Sequence, residues 1–137
     1  MEQIVYISTA RAAEPDGALL EEILRVSRRN NHRDGLTGML IVGGRRFLQV
    51  LEGPKQSLDL AYARIKADDR HFALVELSRK AVSERSFPDW DMAYQEGGSA
   101  DEFDDLVEIV TRMTAGLEDP SLKAHLLGFA QMHAMAA

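Results

Sequence analysis

Gln49 is the residue whose type least suits its setting. The stretch GLTGMLIVGGRRFLQVLEG, residues 35–53, reads as a hairpin: an apolar run from Leu36 to Val42, a Gly43-Gly44 turn, and a return strand from Arg46 to Leu51. Alternation along the return strand sets Phe47, Gln49 and Leu51 on one face and Leu48 and Val50 on the other. Both faces are apolar, so both are expected to be covered. An amide left unpaired there costs on the order of 1–3 kcal/mol, yet one amide can donate twice and accept twice. Gln49 is thus either a satisfied core or edge-strand glutamine or a residue that faces a polar ligand.

Other polar side chains fall on apolar faces. Residues 3–9, QIVYIST, read as a buried strand with Ile4, Tyr6 and Ser8 on one face and Val5 and Ile7 on the other. A buried tyrosine ordinarily finds a partner for its hydroxyl. In the helix that Pro15-Asp16-Gly17 opens and that reaches about Asn31, Leu20, Leu24, Ser27 and Asn31 share a stripe, joined by Ile23. Asn31 either ends that helix near Gly35, a common role for asparagine, or serves a site. In a second helix, Ala61, Arg64, Ile65 and Asp68 lie around one side, and Arg64 and Asp68 are spaced for a solvated i, i+4 ion pair.

Several chemistries are unsupported. His32, His71, His125 and His133 lack partners at metal-ligand spacing, so no metal site is expected. Gly35, Gly38, Gly43 and Gly44 are turn and close-packing glycines rather than a phosphate loop opening a helix. No Ser or Thr has an evident base and orienter, so nucleophilic catalysis has no candidate.

The elements that position these residues follow in the order βαββαββ. After the hairpin, Pro54 and Ser57 start the second helix, with Ser57 as its N-cap and Asp59 favourable near the helix dipole; it ends near Asp68-Asp69. Residues 73–82 and 90–95 read as two more strands. The expected fold is α+β: a ferredoxin-like mixed sheet with two helices on one face. The other face would be bare. Past a Gly97-Gly98-Ser99 hinge, Phe103, Leu106, Val107, Val110, Met113 and Leu117 keep helical spacing behind the acidic first turns Asp101, Glu102, Asp104 and Asp105. Asp119-Pro120 restarts a helix whose apolar stripe is Leu122, Leu126, Phe129 and Met132/His133. These two C-terminal helices could cover the free sheet face, pair with another subunit, or do both.

Composition bounds the function. The 137 residues suit one domain with an appended element, and 45% apolar content supports a real core. Cysteine is absent, which excludes disulfides and thiolate chemistry and fits a cytoplasmic protein. The start MEQIVYIS is not a signal peptide, and no apolar run approaches the ~20 residues of a membrane span. A net charge of −6 argues against non-specific nucleic-acid binding, with Arg28-Arg29 and Arg45-Arg46 read as solvated surface.

VYIS at 5–8, RRNNHRDGLTGMLIV at 28–42, FLQVLEGP at 47–54, ARIKADDRH at 63–71 and RSFPDWDM at 85–92, in this order and spacing, resemble the BLUF family of blue-light photoreceptors. The resemblance covers about residues 1–95 and implies a flavin, usually FAD, between the two helices on one face of the sheet; FMN or riboflavin are alternatives. It implies roles position by position. Tyr6 matches the tyrosine that gives an electron and proton to the excited flavin. Gln49 matches the glutamine linking that tyrosine to the flavin N5 and C4 carbonyl, and Asn31 the asparagine at the C4 carbonyl edge. Arg64 and Asp68 match groups at the pyrimidine end, and Asn30 and His71 lie near the ring or ribityl chain. Trp90 and Met92 match a pair that exchange places near the glutamine, and Met92 also counts as a flavin contact. Ser27 and Arg28 complete the polar part of the expected flavin site, and Ile23, Leu24 and Ile65 would clamp the ring faces. The polar outliers thereby become one lining for a flat heteroaromatic with carbonyl and N–H edges.

The resemblance further implies a division into a flavin-binding photosensor, residues 1–95, and a helical extension, residues 96–137, for output or oligomerisation, as in short stand-alone members. It implies a non-enzyme that works as a homo-oligomer, signals to an unidentified downstream protein, and binds neither nucleic acid nor membrane. Two rivals stand beside it. A dark flavin-dependent redox enzyme would turn over NAD(P)H without light. A structural oligomeric module would be colourless.

Overall fold

The alternation of Ile4, Tyr6 and Ser8 against Val5 and Ile7 is realised in β1 (Glu2–Ala10), which is paired along both edges. The computed structural model describes residues 1–11, 17–43, 46–87, 93–97, 107, 110–112 and 114–134, with backbone alone at 17–20, 43, 93–97 and 133–134. After β1 come α1 (Gly17–Asp34), β2 (Thr37–Gly43), β3 (Arg46–Gly53), α2 (Lys55–Ala67), β4 (His71–Ala81), β5 (Ala93–Gly97) and α3 (Pro120–Ala134). Among the described residues the sheet has five strands in the order β4-β1-β3-β2-β5. The first four are antiparallel neighbours, and β5 lies parallel to β2. The helices α1 and α2 connect strands that run the same way with one strand between them, so the expected ferredoxin-like arrangement is present.

The two faces carry two cores. On the first, Leu24 of α1 and Leu58, Ala61 and Tyr62 of α2 pack on Ile4, Tyr6, Leu40, Phe47 and Leu51. On the second, Val5, Met39, Ile41, Leu48 and Val50 are covered by Phe87, Val110, Leu122, Leu126, Phe129 and Ala130. The C-terminal segment therefore covers the otherwise free sheet face, the first of the alternatives open to it. From Phe47 to Gly53 every residue of β3 is buried, which is why both its faces are apolar.

Local chemistry fixes the ends. Gly35 takes φ +72°, and the Leu36 N–H donates to Asn31 O at 2.8 Å, the six-to-one bond of a Schellman cap. Gly35, not Asn31, thus stops α1, and the helix runs one turn further than expected, to Asp34. Gly38 lies against the β3 backbone so closely that a Cβ would collide with the Val50 carbonyl. Ser57 is not the cap of α2. Pro54 holds that place with φ −58° and ψ 138°, its carbonyl accepts from Leu58 N–H at 2.9 Å, and Ser57 sits inside the first turn. Asp59 lies in an ion-pair cluster, with Lys55 at 2.9 Å and with Arg79. Asp119 caps α3, its Oδ1 accepting from the N–H groups of Ser121 at 3.0 Å and Leu122 at 3.2 Å, and its carboxylate also pairs with Lys80.

Three further differences stand out. β4 starts two residues early and is irregular, with shifts opposite Val5/Tyr6 and Ile7/Thr9 and with Ala73 at φ +53°. β5 (Ala93–Gly97) continues two residues past the expected end at 95, and residues 90–92 lie outside the described residues. On α3, Leu122, Leu126, Phe129 and Ala130 pack in the second core, whereas Met132 is 67% exposed. Of the expected tail stripe, Val107, Val110 and Leu117 pack into the second core; Phe103, Leu106 and Met113, with Asp101, Glu102, Asp104, Asp105, Gly98 and Ser99, lie outside the described residues, as does the side chain of His133.

Candidate functional site

Strand register brings the two outlying polar side chains of the sheet together. Tyr6 of β1 is the direct cross-strand partner of Gln49 of β3, and Gln49 in turn faces Leu40 of β2. Directly opposed side chains on one face have Cβ atoms about 5 Å apart, so phenol and amide are immediate neighbours. Tyr6 is 3% and Gln49 8% exposed. The Tyr6 ring leans on Tyr62 of α2, centroids 5.7 Å apart at 46°. Burial pushes the Tyr6 phenol far above the ordinary tyrosine range, and the neighbouring Tyr62 and Asp68 push it further. It is a neutral hydrogen-bonding group throughout the physiological range.

Above this pair, between α1, α2 and the sheet, lies a cavity of about 230 Å³. Its apolar wall is Ile23, Val26, Leu40, Phe47, Leu51, Ala61 and Ile65; its polar wall is Tyr6, Ser8, Ser27, Asn30, Asn31, Gln49, Arg64, Asp68, Arg70 and His71. Asn31 is 4% exposed and reaches the cavity from the last turn of α1, which the Gly35 cap holds over β2. His71 is fixed at the start of β4 by a 2.7 Å contact between its Nε2 and the Ile65 carbonyl.

The cavity gathers Tyr6, Ile23, Ser27, Asn30, Asn31, Gln49, Arg64, Ile65, Asp68 and His71 of the expected residues. Leu24 is buried in the first core beside it and Arg28 is exposed at the surface; neither forms part of the wall. Trp90 and Met92 lie outside the described residues. Arg64 and Asp68 do not pair with each other. Arg64 reaches Asp34 at 3.2 Å, and Asp68 takes the Arg70 guanidinium at 2.5 Å. Each found a closer partner on another segment, the end of α1 or the turn into β4. Arg70 accordingly holds the Asp68 carboxyl below its ordinary range.

Ser8 and Arg70 are wall residues that spacing alone did not single out. Ser8 shares the Ile4–Tyr6 face, which was the available signal. It is 2% exposed, and its Oγ is buried without a protein partner. A donor-acceptor left open on a cavity wall suits a polar guest.

The model of the family described as "Sensors of blue-light using FAD" matches residues 1–93. The blue light- and temperature-regulated antirepressor BluF of Escherichia coli (strain K12) is 36% identical over 74 residues, 54% of this chain and 18% of that protein. The photoactivated adenylate cyclase subunit beta of Euglena longa is 31% identical over 93 residues, 67% of this chain and 11% of that protein. The chain thus spans less than a fifth of the length of these two relatives. Among solved structures, the dark state of the BLUF protein BlrB superposes with a TM-score of 0.73 at 29% identity, covering 99% of this chain and 96% of that one. A BlrP1 complex from Klebsiella pneumoniae superposes with a TM-score of 0.77 at 26% identity, covering 94% of this chain and 32% of that one. With the family pattern matched across two thirds of its length, over the same strands and helices that enclose the cavity, this chain belongs to the BLUF family, flavin-binding sensors of blue light that use FAD.

Proposed function

We propose that blue light is registered in this chain by a hydrogen-bond switch at Gln49, driven from Tyr6, and passed through β5 and the C-terminal helices to a partner protein. The observation that carries this reading is the direct opposition of Tyr6 and Gln49 on the sheet side of a cavity lined by both apolar and polar side chains.

The wall fits a flavin ring. Ile23, Ile65 and Leu51 offer apolar surface to ring faces, with Leu24 as support behind Ile23. Asn31 and Gln49 would offer amides to a carbonyl and ring-nitrogen edge, Arg64 and Asp68 a cation and a carboxylate to the pyrimidine end, and Asn30 and His71 would serve the ring or ribityl chain. Ser8 Oγ has a hydrogen bond to give. Arg28 and Ser27 lie on α1 on the way out of the cavity, where a longer flavin tail would run. When bound, the flavin supplies a chromophore that becomes a strong one-electron oxidant on absorbing blue light.

Tyr6, on the cavity wall, is the electron donor in this reading. Its burial disfavours loss of the proton ahead of the electron, so the electron is not preceded by the proton, and both return to the phenol at the end of the cycle. Gln49 is the group beside it that can carry the proton, because an amide holds an acceptor and a donor on one reorientable end. After the charge returns, Gln49 is left rotated or tautomerised with a changed hydrogen bond towards the ring edge, which shifts absorption to the red. No substrate is consumed by this chain in such a cycle. Residues 1–95 act as sensor and 96–137 as the output extension, read by a second copy or a downstream protein.

The test is Gln49→Leu, which is close in volume and keeps β3 apolar. The wild type should purify yellow and shift reversibly to the red under blue light. Gln49→Leu should fold, retain flavin, and show no lasting shift. A wild-type-like shift in the variant would place the switch elsewhere. Dark turnover of NAD(P)H would favour the redox-enzyme rival.

A further inference from the structure

Three residues along β3 from Gln49, on the opposite face of the sheet, lies a second polar cluster. Gln3 of β1 and Thr37 of β2 are both direct cross-strand partners of Glu52 of β3. The Glu52 side chain is 0% exposed, an expensive place for a carboxylate unless its acceptors are filled. They are filled symmetrically. Oε2 accepts from Gln3 Nε2 at 3.1 Å and from the Ser86 backbone N–H at 2.9 Å; Oε1 accepts from Thr37 Oγ1 at 3.3 Å and from the Phe87 backbone N–H at 2.5 Å. Arg85 adds a second staple, donating to Gly35 O at 2.6 Å, Thr37 Oγ1 at 2.9 Å and Glu52 O at 3.1 Å. Residues 85–87 belong to no helix or strand, so these bonds set where the chain stands as it leaves for β5.

The chemistry of the cluster requires a carboxylate. Two backbone N–H groups arrive at two different oxygens, and each oxygen also takes a side-chain donor. A glutamine would turn its NH2 towards two donors. The position is equally specific: Glu52 stands three residues after Gln49 on one rigid strand, and Phe87 three residues before Trp90 in sequence.

We infer that Glu52 is a positioning residue of the light response: its carboxylate locks the segment beginning at Ser86 to β3, so that a rearrangement at Gln49 is delivered to β5. The inference rests on the reading of Gln49 as the responding group. A loose segment would absorb that rearrangement instead of transmitting it. No rearrangement of Glu52 itself is needed; it serves as a fixed joint between two strands that do not pair with each other.

The test compares wild type with Glu52→Gln and, as a milder variant that leaves the carboxylate in place, Arg85→Gln. In the flavin-free chain, loss of the charged acceptor should speed amide exchange at Ser86 and Phe87 by about tenfold or more and change the emission of Trp90, the single tryptophan. In the flavin-loaded protein, Glu52→Gln should keep the dark spectrum and the amplitude of the red shift. The light-induced change in exchange across residues 86–97 should fall by roughly threefold or more, with Arg85→Gln changing in the same sense by less. Should Glu52→Gln fail to fold, the same loss in Arg85→Gln, against an intact red shift, supports the inference. A full red shift with equal light-induced exchange in the folded variants and wild type overturns this inference alone. A wild type with no red shift overturns the reading of Gln49 and this inference with it.

Discussion

On the first face of the sheet, Tyr6, Ser8, Asn31 and Gln49 are buried around a cavity; on the second, Gln3, Thr37 and Glu52 are equally buried and bond one another. β1 and β3 carry Tyr6, Ser8 and Gln49 on one face and Gln3 and Glu52 on the other at alternating positions, so the difference lies in what covers each face. The helices α1 and α2 stand apart enough to leave a space, and Ser8 Oγ turns to the wall of that space without a protein partner. On the second face α3 lies directly on Met39, Ile41, Leu48 and Val50, and Glu52 saturates itself from within the chain. Even there one acceptor, Gln3 Oε1, is left over. The first set is arranged for a guest and the second for rigidity.

The contrast can be broken most forcefully from the second face. Leu126 is fully buried against the sheet. Leu126→Ala should destabilise the protein by about 2–5 kcal/mol, read by thermal or denaturant unfolding, while the flavin spectrum of the folded fraction stays as in wild type. A spectral change of the kind expected for a cavity variant would mean that the faces are not separable. Asn31→Ala should do the reverse. It keeps the backbone carbonyl that Leu36 bonds and hence the helix cap, so unfolding of the flavin-free chain should move less than in Leu126→Ala. Flavin content after purification should fall, and fall further than in Tyr6→Phe, since Asn31 is assigned to the ring edge and Tyr6 sits behind Gln49. Equal or reversed losses would refute that assignment.

The smallest effect concerns the cap of α3. The Lys80 bond, the largest cause, and the two helix N–H groups hold the Asp119 carboxyl below its ordinary value of 3.8 against the opposing effect of burial. Because the folded-state value is the lower one, the charge stabilises above pH 3.8 and its contribution is lost as pH falls through the folded value. Asp119→Asn keeps a capping side chain and removes only the charge. The variant should melt slightly below wild type at neutral pH, and the gap should close in acid below about pH 4. A gap that widens in acid would contradict the sign of the shift.

What could be read in the sequence was whatever depends on periodicity. The alternation of 3–9 and 46–51 put Tyr6 and Gln49 on definite strand faces, and the helical spacing put Ser27 and Asn31 on the inward stripe of the first helix, whereas Arg64 and Asp68 read by spacing as a solvated pair and were assigned to the site only by the motif resemblance. The motif resemblance then said what the wall was for. Pairing was not legible. Arg64 and Asp68 have ideal spacing for each other, yet their partners come from the end of α1 and from the turn before β4, and only the folded chain brings these near. Ser57 looked like a cap because caps favour serine, but Pro54 with its preset φ already occupied the position. Glu52 was harder still. Its main acceptors' partners are backbone N–H groups 34 and 35 residues away, and a backbone N–H leaves no mark on a sequence.

The strand order has a consequence for how the sensor comes into being. β1 is synthesised first, but it sits between β3 and β4, and its partner for Glu2 is Ala81. A nascent chain that has emerged only through α1 offers Tyr6 no strand to lie beside. After the hairpin appears it has one neighbour, and His71, the last residue of the cavity wall, arrives with β4. The cavity wall is therefore complete only once β1 has paired with β4, the most sequence-distant strand pairing among the described residues and a slow class of contact.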